Sequence, residues 1–543
     1  MPEILRERSF WLLWLPVVVV AAFYALGFDG FWHGDDLPNL HRAYSQSQQG
    51  TLWPETFRQF AEPVPSQGAF YRPMMMFSLA LNFVLAGAHY AGWYAVNFSV
   101  HLLNTLLVAL IVTRLTKTFK SDATVAAPLA ALLFGLCPAI AEGVYWVSAR
   151  SDGWVTLFSL TGLYVWAFDQ RDASRRSAFT LPLLLILALG FKESAAVLPL
   201  QMALVAIAWP VQLSRTQRWA VFATFVVAAL SLAWRTFLFG NAWYVYTPAS
   251  GASSALHSKL WAAGQSLGPW WTAQARSTAF FPIAYLACCA GALLMLGVST
   301  WGPRFRLVLA LACASGGLAV ATLLNVGSMS SNGEGGRLGY GPIAWLAIAI
   351  GVSLSREQSP SLRSARFQLA CTACLTIALL TGCATLWGQL RGVWDAQRGM
   401  RMITQSVVPW AESHPGLTML LVPDSDGVVV MARNAQAGLV LEPIQTQPYL
   451  HRVLPTLSTE VQLRQEQFCQ GMAQRLEIVR PRFAGARELA SLAERAETVW
   501  PRHVACWSLS QRKIIPLLAP PLDATCDAWL SSIRAEVDKC DLG

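Results

Sequence analysis

The strongest constraint on the fold is a succession of long apolar runs separated by short polar loops. The first, residues 10–28, is about long enough to cross a bilayer as a single helix. Further runs occupy residues 74–88, 92–113, 124–141, 153–168, 177–191, 194–209, 219–239, 279–298, 306–325, 340–355 and 367–388. Charged residues make up only 13% of the chain, about half their usual share of a soluble domain. This pattern predicts an all-α polytopic membrane protein, with the first run kept as an anchor because no small-residue cleavage site follows it.

Five basic loops between these runs predict the orientation of the chain. Their basic residues are Arg114, Lys117, Lys120, Arg171, Arg175, Arg176, Arg215, Arg218, Arg304, Arg306, Arg356, Arg363 and Arg366. The positive-inside rule assigns all of them to the cytoplasm. That assignment requires the run 74–88 not to cross and the segment 177–209 to cross twice, turning near Lys192. The result is about eleven transmembrane helices, and the net charge of +9 is explained by topology rather than by nucleic-acid binding.

The tail has a different composition and predicts a separate domain. We place a transmembrane domain at 1–388 and a small extracytoplasmic α/β domain at 389–543. Its predicted helices are 387–410, 461–479 and 486–499. Its predicted strands are 417–423 and 427–431. An even number of cysteines lies in this tail, at Cys469, Cys506, Cys526 and Cys540. In an oxidising compartment these four allow two disulfides in any of three pairings; four free buried thiols are the alternative.

The unusual polar residues all fall on the outer side of the predicted topology. They are Asp35, Asp36, Arg72, Glu142, Arg150, Asp152, Lys192, Glu193, Arg337 and Tyr340. Ionisable groups at membrane depth are costly and point to function. A carboxylate can act as a general base, and Arg or Lys can hold a phosphate leaving group. The plainer alternative is that neighbours such as Arg150 with Asp152, or Lys192 with Glu193, simply pair with each other.

The order of these motifs resembles membrane glycosyltransferases of the GT-C superfamily, and in particular bacterial relatives of the tetratricopeptide-linked transmembrane O-mannosyltransferases. The motifs are Asp35-Asp36, Tyr71-Arg72-Pro73, the stretch from Pro138 through Glu142, Trp146 and Arg150 to Asp152, Lys192-Glu193, and the element Arg337–Pro342. The likeness covers about residues 10–350. Cys137 stands where the family usually has His, and the tail shows no tetratricopeptide repeat, which weakens the analogy to a protein acceptor.

The resemblance implies a GT-C-like catalytic domain that takes a hexosyl or pentosyl group from a polyprenyl-phosphate donor by inverting displacement. By position, Asp36 is the general base. Asp35 is its alternate, and the two acids could instead bind a divalent cation such as Mg²⁺ or Mn²⁺; no cofactor is certain. Glu142 and Asp152 would orient the acceptor or support the base. The candidates for contact with the donor are Arg72, Arg150, Lys192, Arg337 and Tyr340.

The acceptor, whether protein, lipid or glycan, is not predicted. The implied location is the bacterial inner membrane, with the site and the tail facing the periplasm. A polysaccharide polymerase or ligase shares this donor and topology and is an open alternative. A transporter of lipid-linked sugars would instead carry broken helices near the bilayer midplane, and a non-catalytic scaffold would leave the acids without a role. His101 and Asn104, on one face of an apolar helix, are predicted to make structural contacts between helices.

Overall fold

The structure is a computed structural model that describes residues 8–32, 36–62, 70–168, 173–210, 212–240, 302–326, 336–355, 362–413, 418–421, 451–454, 503–508, 511 and 513–517. Contacts divide the chain into two units. The first contains Met1–Asp29 and Gln49–Gly392, and the second contains Gly30–Gln48 and Val393–Gly543. The boundary predicted at residue 388 falls inside one continuous helix.

Most of the described chain is helical. In chain order the helices are α1 (Arg8–Tyr24), α2 (Asp36–Gln48), α3 (Leu52–Arg58), α4 (Pro73–Ala86), α5 (Tyr90–Thr118), α6 (Ala126–Gly135), α7 (Glu142–Tyr145), α8 (Arg150–Phe168), α9 (Ala173–Phe191), α10 (Leu198–Ala208), α11 (Arg215–Phe239), α12 (Pro303–Val326), α13 (Tyr340–Leu354) and α14 (Leu362–Ser413). The core of the first unit surrounds α5, which packs against α1, α6, α8 and α13. Trp93 and Trp345 are completely buried there.

Several helices have the length and composition of membrane spans. Within the described residues five segments qualify, Leu12–Asp29, Tyr90–Thr118, Arg215–Phe239, Gly336–Leu354 and Leu369–Trp394. A sixth is possible if α6 and the bent segment Pro138–Tyr145 form one span. The helices α4, α9 and α10 are apolar but shorter. The predicted run 279–298 lies outside the described residues, so the count of eleven crossings stays a prediction.

The segment 177–209 consists of two helices, as the charge pattern predicted. α9 ends at Phe191, and Lys192 adopts an extended conformation with φ of −161° and ψ of 144°. A 3₁₀ turn, Glu193–Val197, then leads into α10. Because Lys192 and Glu193 lie at this break, their charges are at the ends of apolar helices rather than in the middle of one.

Helix α4 lies across the ends of its neighbours rather than alongside them. It begins with Pro73 at its first turn and stops at Gly87, whose positive φ of 54° suits glycine. Met75 near its start contacts Ser151 at the start of α8 through a 3.0 Å S···O contact. Asn82 in its last turns still reaches Arg150, the first residue of the same helix α8. Both ends of α4 thus lie near the start of α8, and whether the run 74–88 crosses the membrane stays a prediction.

The first unit has two distinct ends. Asp152 lies in the first turn of α8, and Trp166, near the last, exchanges hydrogen bonds with Gln217 at the start of α11. A rise of 1.5 Å per residue separates Asp152 from Trp166 by about 21 Å. Arg304 donates to the carbonyls of Val352 and Ser355 at the far end of α13 from Tyr340. The basic loops that carry Arg218 and Arg304 therefore lie at the opposite end from Asp152 and Tyr340.

The second unit combines two helical segments with a small sheet. Its strands are β1 (Thr418–Leu421), β2 (His451–Leu454), β3 (His503–Ser508) and β4 (Lys513–Leu517), in the order β2-β1-β3-β4. β1 pairs in parallel with β2 and β3, and β3 pairs antiparallel with β4. The predicted strand 417–423 matches β1. The predicted strand 427–431 and the helices 461–479 and 486–499 lie outside the described residues, as do Cys469, Cys526 and Cys540.

The segment before α2 is held on the second half of α14. The backbone N–H of Phe31 donates to Oε1 of Gln397 at 3.3 Å, and Arg401 Nη2 donates to the carbonyl of Gly30 at 2.6 Å. The predicted helix 387–410 is thus part of the 52-residue helix α14, and this part serves as the support for the segment that leads to Asp36.

Candidate functional site

Seven charged side chains at one end of the first unit form what we call the ionic rim: Arg72, Glu142, Asp152, Lys192, Glu193, Arg235 and Arg337. They come from loops and helix ends that are distant in sequence. Six of them are among the ten residues that the sequence had placed on the outer side, and they lie at the end opposite to the basic loops. The seventh, Arg235, was not predicted.

The centre of the rim is a buried ion pair between Lys192 and Asp152. Lys192 Nζ lies 2.6 Å from Oδ1 and 2.7 Å from Oδ2 of Asp152. The two residues are 8% and 7% exposed. Burial lowers the pKa of the Lys192 amino group, and the Asp152 carboxylate opposes that shift. The ends of the antiparallel helices α8 and α9 bring the pair together, so its main effect is to hold these two ends in register.

Glu193 is shared by two arginines. Its Oε2 lies 3.2 Å from Nη2 of Arg72, and its Oε1 lies 3.2 Å from Nη1 of Arg235. Arg72 precedes α4 and Arg235 lies near the end of α11, so one carboxylate ties both elements to the break after α9. The guanidinium of Arg72 stacks on Phe70 at 4.4 Å and keeps 24% of its side-chain surface exposed. Arg235 is almost completely buried.

A third contact joins Glu142 to Arg337. Glu142 Oε1 accepts from Nη1 of Arg337 at 2.5 Å, and its Oε2 accepts from the Arg337 backbone N–H at 2.9 Å. The residue before it, Gly336, passes so close to the 138–141 turn that a Cβ there would lie 2.1 Å from the carbonyl oxygen of Ala139. Arg337 stacks on Trp146 at 4.5 Å, and its side chain is 25% exposed while that of Glu142 is buried.

The alternative pairings of sequence neighbours, Arg150 with Asp152 and Lys192 with Glu193, are not the ion pairs found in the described residues. Lys192 binds Asp152 instead of Glu193, and Glu193 binds the two arginines. Glu142 and Asp152 were predicted to orient an acceptor or support the base. In the structure Asp152 binds Lys192 through both of its oxygens, and Glu142 binds the guanidinium and the backbone N–H of Arg337. These contacts hold the two cations in place, and the predicted role toward the acceptor stays a prediction.

Arg150 was predicted to contact the donor, but its guanidinium is directed into the protein. Only 1% of the residue is exposed. It donates to Asn82, to the carbonyl of Val147 at 3.2 Å and to Ser78 Oγ at 3.4 Å. These contacts join α4 to the start of α8, and we leave Arg150 out of the proposed donor site because a ligand would have to displace them.

Tyr340 also belongs to the interior. Its hydroxyl lies 2.7 Å from Nδ1 of His101 and accepts from Asn104 at 3.4 Å. His101 Nε2 lies 2.9 Å from the carbonyl of Gly135, and Asn104 donates to that of Gly153. The structural role predicted for His101 and Asn104 is confirmed by these contacts between helices. Tyr340, predicted to contact the donor, is buried in the same cluster and is likewise left out.

Tyr340 nevertheless shows that two of the ion pairs are neighbours. A Cβ on Gly143 would lie 2.9 Å from Cδ2 of its ring, and a Cβ on Gly153 would lie 3.9 Å from Cζ. Those glycines follow Glu142 and Asp152 directly. The ring of Tyr340 is therefore packed between the two acidic segments, which places the Glu142–Arg337 and Asp152–Lys192 pairs around one side chain.

Asp36 and Asp35 belong to a different part of the structure. Asp36 opens α2 in the second unit and is 1% exposed. Asp35 lies outside the described residues. Among the residues that the structure describes, no group of three or more His, Cys, Asp or Glu side chains is arranged to hold a metal ion. The predicted base and the predicted cation site are therefore carried forward as proposals.

Arg235 is the rim residue that sequence reasoning missed. It lies within the run 219–239, and the nearest other charged residue in the sequence is Arg218, 17 positions earlier. A single arginine in an otherwise apolar span is the signal that could have found it, since a membrane span rarely keeps a charge without a partner. Its partner, Glu193, could not be assigned without knowing that α9 and α11 are adjacent.

Solved structures include one that resembles the chain over most of its length. The crystal structure of ArnT from Cupriavidus metallidurans bound to undecaprenyl phosphate is similar over 84% of this chain and 91% of that chain, with 15% sequence identity and a TM-score of 0.42. No family model matches the chain, and no curated protein matches it.

Proposed function

We propose that this protein is an integral membrane glycosyltransferase that moves a sugar from a polyprenyl-phosphate donor to an extracytoplasmic acceptor. The observation that carries the proposal is the pair of partly exposed arginines in the ionic rim. Arg72 and Arg337 each rest on a carboxylate and on an aromatic ring, which orients the guanidinium while leaving part of it accessible. An accessible, oriented guanidinium at the end of a bundle of apolar helices is suited to a phosphate carried by a lipid.

Lys192 stabilises the helix ends on which this site is built. Its ammonium group is buried against Asp152, and this pair fixes the ends of α8 and α9 from which the rim is built. Helix α4 begins directly after Arg72 and contributes an apolar surface, with Val84 and Leu85 in its last turn more than half exposed. An exposed apolar surface on the helix that follows a cation suits a ligand with a long hydrocarbon tail and an anionic headgroup.

The proposed reaction is a single inverting displacement. The acceptor hydroxyl loses its proton to the carboxylate of Asp36 as its oxygen forms a bond to the anomeric carbon. The bond between that carbon and the phosphate oxygen breaks, and the lipid phosphate leaves with the added negative charge near Arg72 and Arg337. Asp35 is the alternate base, or a ligand with Asp36 for a divalent cation. The active face and the second unit are proposed to face the periplasm.

The experiment that tests this proposal uses the full-length protein purified in detergent. We expect transfer or slow hydrolysis of at least one member of a panel of polyprenyl-phosphate hexoses and pentoses. Asp36→Asn is expected to lower turnover by a factor of about 10² or more, because a general base typically contributes 10²–10⁴-fold. Thermal stability should change little.

The matched control is Asp122→Asn. Asp122 lies in the loop after α5, where it accepts hydrogen bonds from Thr124, and this substitution should leave turnover intact. Full turnover in Asp36→Asn would remove Asp36 as the base. Failure of the unmodified protein to act on every donor of the panel would remove the proposed function itself.

A further inference from the structure

The contacts of Glu193 differ from those of the other two acids of the rim. Asp152 uses both of its oxygens on Lys192, and Glu142 uses one oxygen on the Arg337 guanidinium and the other on the Arg337 backbone N–H, so each acid faces a single cation. Glu193 divides its two oxygens between two arginines, Arg72 and Arg235. Its negative charge is thus only partly available to either guanidinium, and the three side chains together carry one positive charge.

Arg72 is the member of this trio that a ligand can reach. Its Nε and Nη2 both point to Oε2 of Glu193, and within the described residues its Nη1 makes no hydrogen bond. Arg235, by contrast, has only 6% of its side chain exposed. Arg235 is too deep to meet a large ligand directly, and its contact with Glu193 connects it to Arg72.

The packing around the trio keeps Arg235 in place. Its guanidinium lies 5.4 Å from the ring centre of Phe239, one turn further along α11. Phe239 also packs edge-on against Tyr71, at 6.5 Å between ring centres, and the Tyr71 hydroxyl donates to the carbonyl of Phe60. The residue before Arg72 is therefore fixed on the same end of α11 that carries Arg235.

We propose that Arg235 is a positioning residue that keeps Arg72 electrostatically available to a phosphate. By taking one oxygen of Glu193, Arg235 prevents that carboxylate from closing on Arg72 through both oxygens and cancelling its charge. This rests on the donor phosphate proposed above for Arg72. It differs from the role of Lys192, which faces a carboxylate that is already saturated.

The proposal leads to a pattern of charges that can be tested by substitution. The trio carries +1 in the natural protein, 0 in Arg235→Gln, +2 in Glu193→Gln, and +1 again when both changes are combined. Groups in one salt-bridge network couple by roughly 0.5–3 kcal/mol. Arg235→Gln should weaken phosphate binding by about five- to tenfold, since 1.4 kcal/mol is tenfold. Glu193→Gln should not weaken it, and the double variant should return to within about twofold of the natural protein.

The measurement is binding of farnesyl phosphate to the full-length protein in detergent, with farnesol as the uncharged probe. Arg218→Gln is the matched control, because it removes one positive charge from the exposed first turn of the same helix. It should leave binding unchanged. Farnesol should bind all variants equally, and thermal melting of each variant checks that it is folded.

Two results would overturn the inference: unchanged farnesyl phosphate binding in Arg235→Gln, or a double variant as weak as Arg235→Gln alone. The second result would mean that Arg235 matters only for packing. The outcome is separable from that for the proposed function, because binding is measured without turnover. Charge-dependent binding without sugar transfer would contradict the proposed glycosyltransferase function but would still support the positioning role of Arg235.

Discussion

Lys192 and Arg72 are two cations of the same rim, and the sequence assigned them the same task. The structure gives them different environments. Lys192 is buried and takes both oxygens of Asp152, whereas Arg72 is partly exposed and shares its carboxylate with Arg235. A buried charge with a saturated partner contributes to the stability of the fold, while an exposed charge with a divided partner remains available to a ligand. Residue type alone does not distinguish these roles.

The largest expected effect is on stability, from Lys192→Ala. It leaves Asp152 buried without its cation, and breaking a buried pair in this way costs about 3–5 kcal/mol. Thermal unfolding in detergent should show a strongly lowered midpoint. Replacing both partners, in Lys192→Met with Asp152→Leu, should recover much of that loss, since apolar replacement of a buried pair is often neutral. If the Lys192→Ala protein were as stable as the natural one, Lys192 would not have the stabilising role that distinguishes it from Arg72.

A smaller effect is expected at the edge of the rim from Gly336→Ala. The added Cβ would lie 2.1 Å from the Ala139 carbonyl oxygen, so the backbone must move and carry Arg337 away from Glu142. Overpacking of this kind costs about 1–3 kcal/mol, and the apparent affinity for the lipid-phosphate donor should fall. Gly388→Ala in α14 is the control, because nothing lies within 4 Å of its added Cβ. Equal donor affinity in both variants would show that the backbone at Gly336 does not contribute to donor binding.

The smallest effect is expected from Arg58→Gln. Arg58 pairs with Glu55 at 2.7 Å within α3, but its side chain is 53% exposed. Exposed pairs of this type contribute roughly 0.2–1 kcal/mol or less. Unfolding and donor binding should both stay close to those of the natural protein. A loss comparable to that of Lys192→Ala would show that exposure does not separate the ion pairs of this molecule.

Much of the helical architecture could be predicted because it depends on local sequence. The break at Lys192 and the start of α4 after Arg72 follow from charges and a proline at the ends of apolar runs. The sidedness of Glu142, Asp152, Lys192 and Arg337 follows from the same loop charges. The predicted run 367–388 and the predicted helix 387–410 continue as the single helix α14, because an apolar stretch and an amphipathic stretch can join without a local stop signal.

The partners of the charges could not be predicted in the same way. Arg150 and Asp152 lie two residues apart, yet one turns to Asn82 and the other to Lys192. Residues two apart on a helix do not face each other, and which neighbour each one meets depends on how α4, α8 and α9 pack. Arg235 was missed for this reason, since its partner is a carboxylate 42 positions away in the sequence.

The amino-acid sequence alone indicated that the chain forms apolar helices with its acidic motifs and their basic partners at one end and its basic loops at the other. This follows because hydrophobic periodicity and the cost of placing a charge in hydrocarbon act on each segment separately. Only the tertiary structure decided which of those groups are locked in pairs and which stay accessible. Pairing is a property of distance and burial between segments, and a divided carboxylate such as Glu193 exists only once three helices have met around it.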